Sequence, residues 1–91
     1  MMYNVRIEQG AEYDLAKLKK SEKPAYKKAV KLLEELYEHP TTGTGKPEQL
    51  RHCKEPTWSR RISDKHRLVY RIQDEVVTVL VISAFGHYED K

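Results

Sequence analysis

A chain of 91 residues can close one hydrophobic core and no more, so the sequence predicts a single domain spanning 1–91. No apolar run is long enough for a membrane span, the opening MMYNVRIEQG lacks a signal-peptide core, and a lone Cys53 excludes an intrachain disulfide and thiolate metal clusters. The expectation is a cytoplasmic protein with no membrane partner, no metal and no cofactor. A net charge of +3 says little, but residues 45–71 hold eight basic side chains, Lys46, Arg51, Lys54, Arg60, Arg61, Lys65, Arg67 and Arg71, against Glu48, Glu55 and Asp64. Such a concentration suits a polyanion such as nucleic acid, and it equally suits a solvated cationic face.

In chain order, Tyr3, Val5 and Ile7 alternate with Asn4, Arg6 and Glu8, which predicts a half-buried strand over residues 2–8. Ala11, Leu15 and Leu18 share one stripe of a short amphipathic helix. Ser21 is expected to cap a second helix, with Pro24 tolerated in its first turn. In that helix Tyr26, Val30, Leu33 and Tyr37, with Ala29 and Leu36 beside them, keep a 3.6-residue period as far as His39-Pro40. The run TTGTGKP at 41–47 has no apolar residue able to anchor a core and predicts a loop.

Residues 58–62, 66–73 and 75–83 then read as three β-segments, the last, with its VVTVLVIS run, as a central strand. The short connections at Asp64-Lys65 and Asp74-Glu75 suit antiparallel hairpins. The order β-α-α-β-β-β predicts an α+β fold in which two N-terminal helices pack on one face of a mainly antiparallel sheet, leaving the other face open.

RNA cleavage by side chains needs a base for the 2′-hydroxyl proton, a cation for the pentavalent phosphate and an acid for the departing 5′-oxygen. Glu48, the arginine pair Arg61 and Arg67, and His87-Tyr88 supply candidates for each. Period two sets Ser59 and Arg61 on one side of their strand and Trp58, Arg60 and Ile62 on the other, so one alone of the adjacent arginines can face a phosphate. In the next strand Arg67, Val69 and Arg71 oppose His66, Leu68, Tyr70 and Ile72, and periodicity does not say which side meets the helices. Each residue also has an ordinary reading. The arginines could pair with Asp64, Asp74 or Glu75 at the surface. Glu48 could be a solvated carboxylate, His87 an exposed imidazole, Tyr88 a ring on the sheet edge, and Trp58 either a base-stacking platform or part of the core. The four histidines and Cys53 show no metal-ligand spacing.

The ordered motifs GKPEQL, WSRRIS, HRLVYRI and the closing HY resemble the YoeB branch of the RelE-like toxins. That resemblance implies the RelE-like microbial ribonuclease fold and a ribosome-dependent mRNA interferase. Such an enzyme cuts mRNA at the A-site codon without a metal or cofactor. The resemblance further implies silencing by a co-expressed antitoxin, expected to be YefM/Phd-like, with a homodimer as a candidate assembly. Carried over motif by motif, Glu48 is general base and His87 general acid, Arg67 with Arg61 stabilises the phosphorane, and Tyr88 positions the RNA or the other groups. The implied product is a 2′,3′-cyclic phosphate. Lys46, Arg51 and Arg60 are expected RNA contacts, and Trp58 a stacking surface.

The chain departs from the family pattern where Glu89, Asp90 and Lys91 follow the tyrosine and where Phe85-Gly86 replaces a more basic or aromatic approach. An acidic pair there is expected to weaken RNA binding modestly. Two alternatives are a ParE-like toxin of the same fold that binds gyrase, whose members lack this glutamate, arginine and His-Tyr set, and a non-catalytic RNA-binding module.

Overall fold

The computed structural model describes residues 2–51 and 56–81, except the side chains of residues 80 and 81. Strand β1 (Asn4–Ile7) leads into helices α1 (Gln9–Ser21) and α2 (Lys23–Leu36), followed by β2 (Glu48–Gln49), β3 (Thr57–Arg61), β4 (Arg67–Gln73) and β5 (Val76–Val81). The strands form one sheet in the order β1-β5-β4-β3-β2. β1 runs parallel to β5, and every other pairing is antiparallel. The apolar β5 is flanked on both edges, as its near-unbroken run of valines predicts. The predicted α+β order holds, with one addition: Glu48-Gln49 forms a two-residue edge strand that is too short to show a period.

The two helices are joined through a single residue. Glu22 leaves helical geometry, at φ −142° and ψ 75°. Its N–H closes α1 on the Leu18 carbonyl at 2.7 Å, and its own carbonyl accepts the first bond of α2 from Tyr26 at 2.9 Å. Glu22 therefore holds the N-cap position expected of Ser21. Ser21 instead ends α1, its hydroxyl turned back to the Lys17 carbonyl at 2.8 Å. Pro24 falls in the first turn of α2, where no intrahelical N–H is required. α2 stops at Leu36, a few residues short of the expected end, and turns there place Tyr37 so that its carbonyl accepts the Tyr3 N–H of the β1 approach at 2.7 Å.

The structure resolves which sheet side is apolar. Leu68, Tyr70, Val77 and Val79 are fully buried against Ala11, Ala29, Leu32 and Leu36 of the helices, with Tyr3, Val5, Ile7, Trp58 and Ile72 packed around them. Alanines at positions 11 and 29 leave no side-chain bulk between the layers, so the leucines of α2 reach the sheet. By alternation, Ser59, Arg61, Arg67, Val69 and Arg71 lie on the far face.

One member of the helix-facing set is a cation. Arg60 is completely buried between β3 and α2. Its Nη1 donates to Glu35 Oε1 at 2.7 Å and to the Thr44 carbonyl at 3.3 Å, and its Nη2 donates to the Thr42 carbonyl at 2.7 Å and to the His39 carbonyl. Its Nε donates to the Tyr70 hydroxyl at 3.1 Å, and that hydroxyl donates in turn to the Pro40 carbonyl at 2.6 Å. All five guanidinium N–H donors thus have acceptors, a fork that a lysine ammonium cannot reproduce. Burial pushes the Tyr70 phenol up from its ordinary range, against the opposing pull of Arg60.

Removing one partner of such a buried pair leaves the other charge and several carbonyls stranded. Arg60→Leu should therefore lower unfolding stability by about 3–5 kcal/mol in urea denaturation, and Arg60→Lys should recover part of that at most. A leucine variant as stable as the parent protein would contradict the assignment.

Candidate active site

The approach to the far face begins in the loop at 41–47. Gly43 and Gly45 adopt φ of +115° and +85°, conformations that L side chains rarely take. A Cβ at Gly43 would meet Glu35 Oε1 at 2.5 Å, and one at Gly45 would press on the Arg61 carbonyl at 3.0 Å. The close fit follows from hydrogen bonding. Glu35 accepts the Thr44 N–H at 2.9 Å and the Thr44 hydroxyl at 2.7 Å, and the Gly45 carbonyl accepts the Arg61 N–H at 2.8 Å. Burial pushes the Glu35 carboxyl up, but the two Thr44 donors and the Arg60 guanidinium outweigh it and hold the group below the usual carboxylate range. Beyond Lys46, itself at φ +52°, the chain enters β2.

The register then sets the far face. Glu48 lies opposite Ser59, Ser59 opposite Val69, and Arg61 opposite Arg67. Directly opposed residues share a sheet side with Cβ atoms roughly 4.5–5.5 Å apart, so Glu48, Ser59, Arg61, Arg67 and Val69 occupy one patch across three strands. Arg67 is half-buried and donates from Nη1 to the fully buried Ser59 hydroxyl at 2.9 Å, which fixes its guanidinium over the middle strand. Arg61 and Glu48 are exposed. Like charges directly opposed across strands repel, and among the described residues neither Arg61 nor Arg67 has a carboxylate within ion-pairing distance. Within the described residues the two guanidinium groups therefore face one another with no counter-charge between them. Arg71 lies farther along the same side, opposite Thr57.

The face is less bare than expected, since Thr57, Ser59 and Val69 on it are buried. Beside Val69 the β4–β5 register slips: Val69 pairs with Val81 but Tyr70 with Val79, leaving Leu80 as an extra residue in β5. A bulge at this point bends the end of β5 next to the Glu48 and arginine patch.

Of the residues singled out by sequence, Glu48, Arg61 and Arg67 are brought together, and Lys46 and Arg51 are exposed at either end of the segment carrying Glu48. Arg60 is corrected: a guanidinium with no exposed surface, bonded on the helix side, is not a contact for RNA on the opposite face. Trp58 likewise packs against the helix-side core, not on the arginine-bearing face. His87, Tyr88 and the 89–91 tail lie outside the described residues. Glu35 and Thr44 were missed. The signal that pointed to them was the parity of Arg60 with Trp58 and Ile62, since an arginine on an apolar side needs a carboxylate from the opposing layer.

A protein-family model described as a YoeB-like toxin of bacterial type II toxin–antitoxin systems matches residues 8–88, a span that contains Glu48, Arg61, Arg67, His87 and Tyr88. Toxin YoeB of Mycobacterium bovis is 45% identical over 62 residues, covering 68% of this chain and 71% of its own. Toxin YoeB of Escherichia coli K12 is 38% identical over 68 residues, covering 75% and 79%. The YoeB dimer structure from Staphylococcus aureus aligns with a TM-score of 0.79 at 29% identity, covering 97% of this chain and 100% of that one. A chain of the archaeal RelE–RelB complex from Pyrococcus horikoshii aligns at 0.75 with 19% identity over 96% and 99%, a likeness of fold alone. The architecture is thus that of the RelE-like toxins. Within it, the chain belongs to the YoeB-like toxins of type II toxin–antitoxin systems.

A carboxylate held below its unfolded pKa contributes stability above that unfolded value, and the contribution is lost as pH falls through the folded one. Glu35→Gln lacks it. The stability gap between the parent protein and Glu35→Gln, measured by urea denaturation, should therefore narrow as pH is lowered through the carboxylate range. A gap that stays constant or widens toward acid would contradict the geometry.

Proposed function

We propose that this toxin is a ribosome-dependent mRNA endoribonuclease that cuts message at the A-site codon by general acid–base catalysis. The observation that carries the reading is the opposition of Arg61 and Arg67 with Glu48 on the adjoining strand and the same sheet face. A phosphodiester seated between the arginines meets bidentate donors that favour the doubly charged phosphorane over the ground state. Glu48 takes the 2′-hydroxyl proton, and the 2′-oxygen bonds to phosphorus as the bond to the 5′-oxygen breaks. The leaving oxygen receives a proton from His87, giving a 2′,3′-cyclic phosphate and a 5′-hydroxyl. The position of Glu48, His87 and Tyr88 in motifs that resemble those of YoeB-type toxins supports these roles, as does the Ser59 hydroxyl, which accepts a hydrogen bond from Arg67 Nη1. Lys46 and Arg51 contact phosphates of the neighbouring nucleotides, and Tyr88 orients the RNA.

The partner that silences the activity is an antitoxin of the YefM kind, by analogy with the Staphylococcus aureus YoeB–YefM complex, which aligns at a TM-score of 0.77. Dimerisation is proposed on the same footing, from the Staphylococcus aureus YoeB dimer.

In single-turnover assays on mRNA bound to programmed ribosomes, Glu48→Gln and His87→Ala should each slow cleavage by about 10²–10⁴-fold, as expected for loss of a general base or acid. Arg67→Ala should slow it by about 10²–10³-fold, as expected for loss of an oxyanion donor. Undiminished cleavage by both Glu48→Gln and His87→Ala would overturn the mechanism. Intact ribosomal mRNA together with arrested supercoiling by gyrase would favour a ParE-like toxin.

A further inference from the structure

We propose that Glu35 and Thr44, on the helix side of the sheet, are positioning residues that set where Glu48 stands relative to Arg61 and Arg67. The inference rests on the nuclease reading for its consequence, though not for its geometry. β2 consists of two residues at the sheet edge, paired through Glu48–Ser59 and Gln49–Trp58. So short a strand does not hold itself against fraying. The loop that delivers it has no large apolar side chain, and two glycines and a lysine in it take positive φ, so its ordering entropy must be offset by specific bonds.

Besides the Arg60 donors to the Thr42 and Thr44 carbonyls, those bonds come from Glu35 and from the Arg61 amide. Both oxygens of Glu35 hold Thr44, Oε1 through the N–H at 2.9 Å and Oε2 through the hydroxyl at 2.7 Å. Glu35 is itself fixed by Arg60 at 2.7 Å. The next residue, Gly45, docks its carbonyl on the Arg61 N–H at 2.8 Å. The backbone of the residue whose guanidinium faces the phosphate thus anchors the loop that carries the base, and Glu35 holds that loop one residue upstream. Gly43 belongs to the same device, because any side chain there would displace the Glu35 carboxylate. α2 is in this way coupled through Thr44 to the opposite sheet face without touching substrate.

Thr44→Val, nearly isosteric, removes the hydroxyl bond and leaves the Arg60–Glu35 pair intact, while Thr44→Ser retains the bond. On programmed ribosomes Thr44→Val should lower the maximal cleavage rate about ten-fold with the half-saturating ribosome concentration unchanged, the pattern of a misplaced reacting group. Thr44→Ser should restore the rate to within about two-fold. Hydrogen exchange should show the Arg61 amide losing protection in Thr44→Val and in Glu35→Gln, with melting temperature checking that both fold. Wild-type cleavage by Thr44→Val with Arg61 still protected, alongside an inactive Glu48→Gln, would overturn the positioning role and leave the nuclease reading standing. If the parent protein cuts no ribosomal message, the nuclease reading falls, and the Arg61 amide alone decides: lost protection supports the coupling and retained protection overturns it.

Discussion

The guanidinium of Arg60 occupies a place in the sandwich where an apolar side chain would cost nothing in desolvation, and most of the site's framework radiates from it. Withdrawing such a cation from water costs several kcal/mol before any partner is found. Here the cost is offset by the Glu35 carboxylate, the Tyr70 hydroxyl and the carbonyls of His39, Thr42 and Thr44. These groups belong to β4, to the end of α2 and to the loop after it. One side chain therefore ties the two layers together and fixes the loop's path. A well-packed hydrophobic replacement of the whole cluster could match it in stability. It could not specify where the 41–47 loop lies, because apolar contacts carry no direction.

The sheet works with two chemically distinct sides because alternation is strict through β3 and β4. Trp58, Arg60, Leu68 and Tyr70 go to the helices, while Ser59, Arg61, Arg67 and Val69 go to the far face. The adjacent arginines of β3 consequently have opposite tasks. Arg60 is fully buried and saturated with internal acceptors. Arg61 is exposed opposite a second arginine, and in the proposed function it meets the phosphate that Arg60 has no capacity to bind.

The fold was legible in the sequence wherever a period repeated. The alternation at Tyr3, Val5 and Ile7, the helical period from Tyr26 to Tyr37 and the valines of β5 each declare their element, although the buried side of α2 is carried by Ala25, Ala29, Leu32, Leu33 and Leu36, and Tyr37 is exposed. Features carried by one or two residues were not legible. β2 is too short for a period, and Glu22 rather than Ser21 separates the helices because backbone geometry, not side-chain preference, decides that junction. Within the site, the grouping of Arg61 with Ser59, and of Arg67 with Arg71, followed from parity alone. Their union with Glu48 depended on a strand register that no local pattern encodes. Arg60 was expected to contact RNA on the family resemblance alone, while parity set it with Trp58 and Ile62. Its true setting required Glu35, 25 residues away in sequence, to be seen beside it.

In the proposed function the Glu48, Arg61 and Arg67 face cuts message presented by the ribosome. The most direct measurement adds the purified chain to ribosomes holding an end-labelled mRNA with a defined A-site codon, then maps the cut and identifies the new 3′ end. The expected result is a cut confined to the A-site codon, moving with that codon when the message is shifted and bearing a 2′,3′-cyclic phosphate. Intact message, or cuts whose positions ignore the codon in the A site, would contradict it.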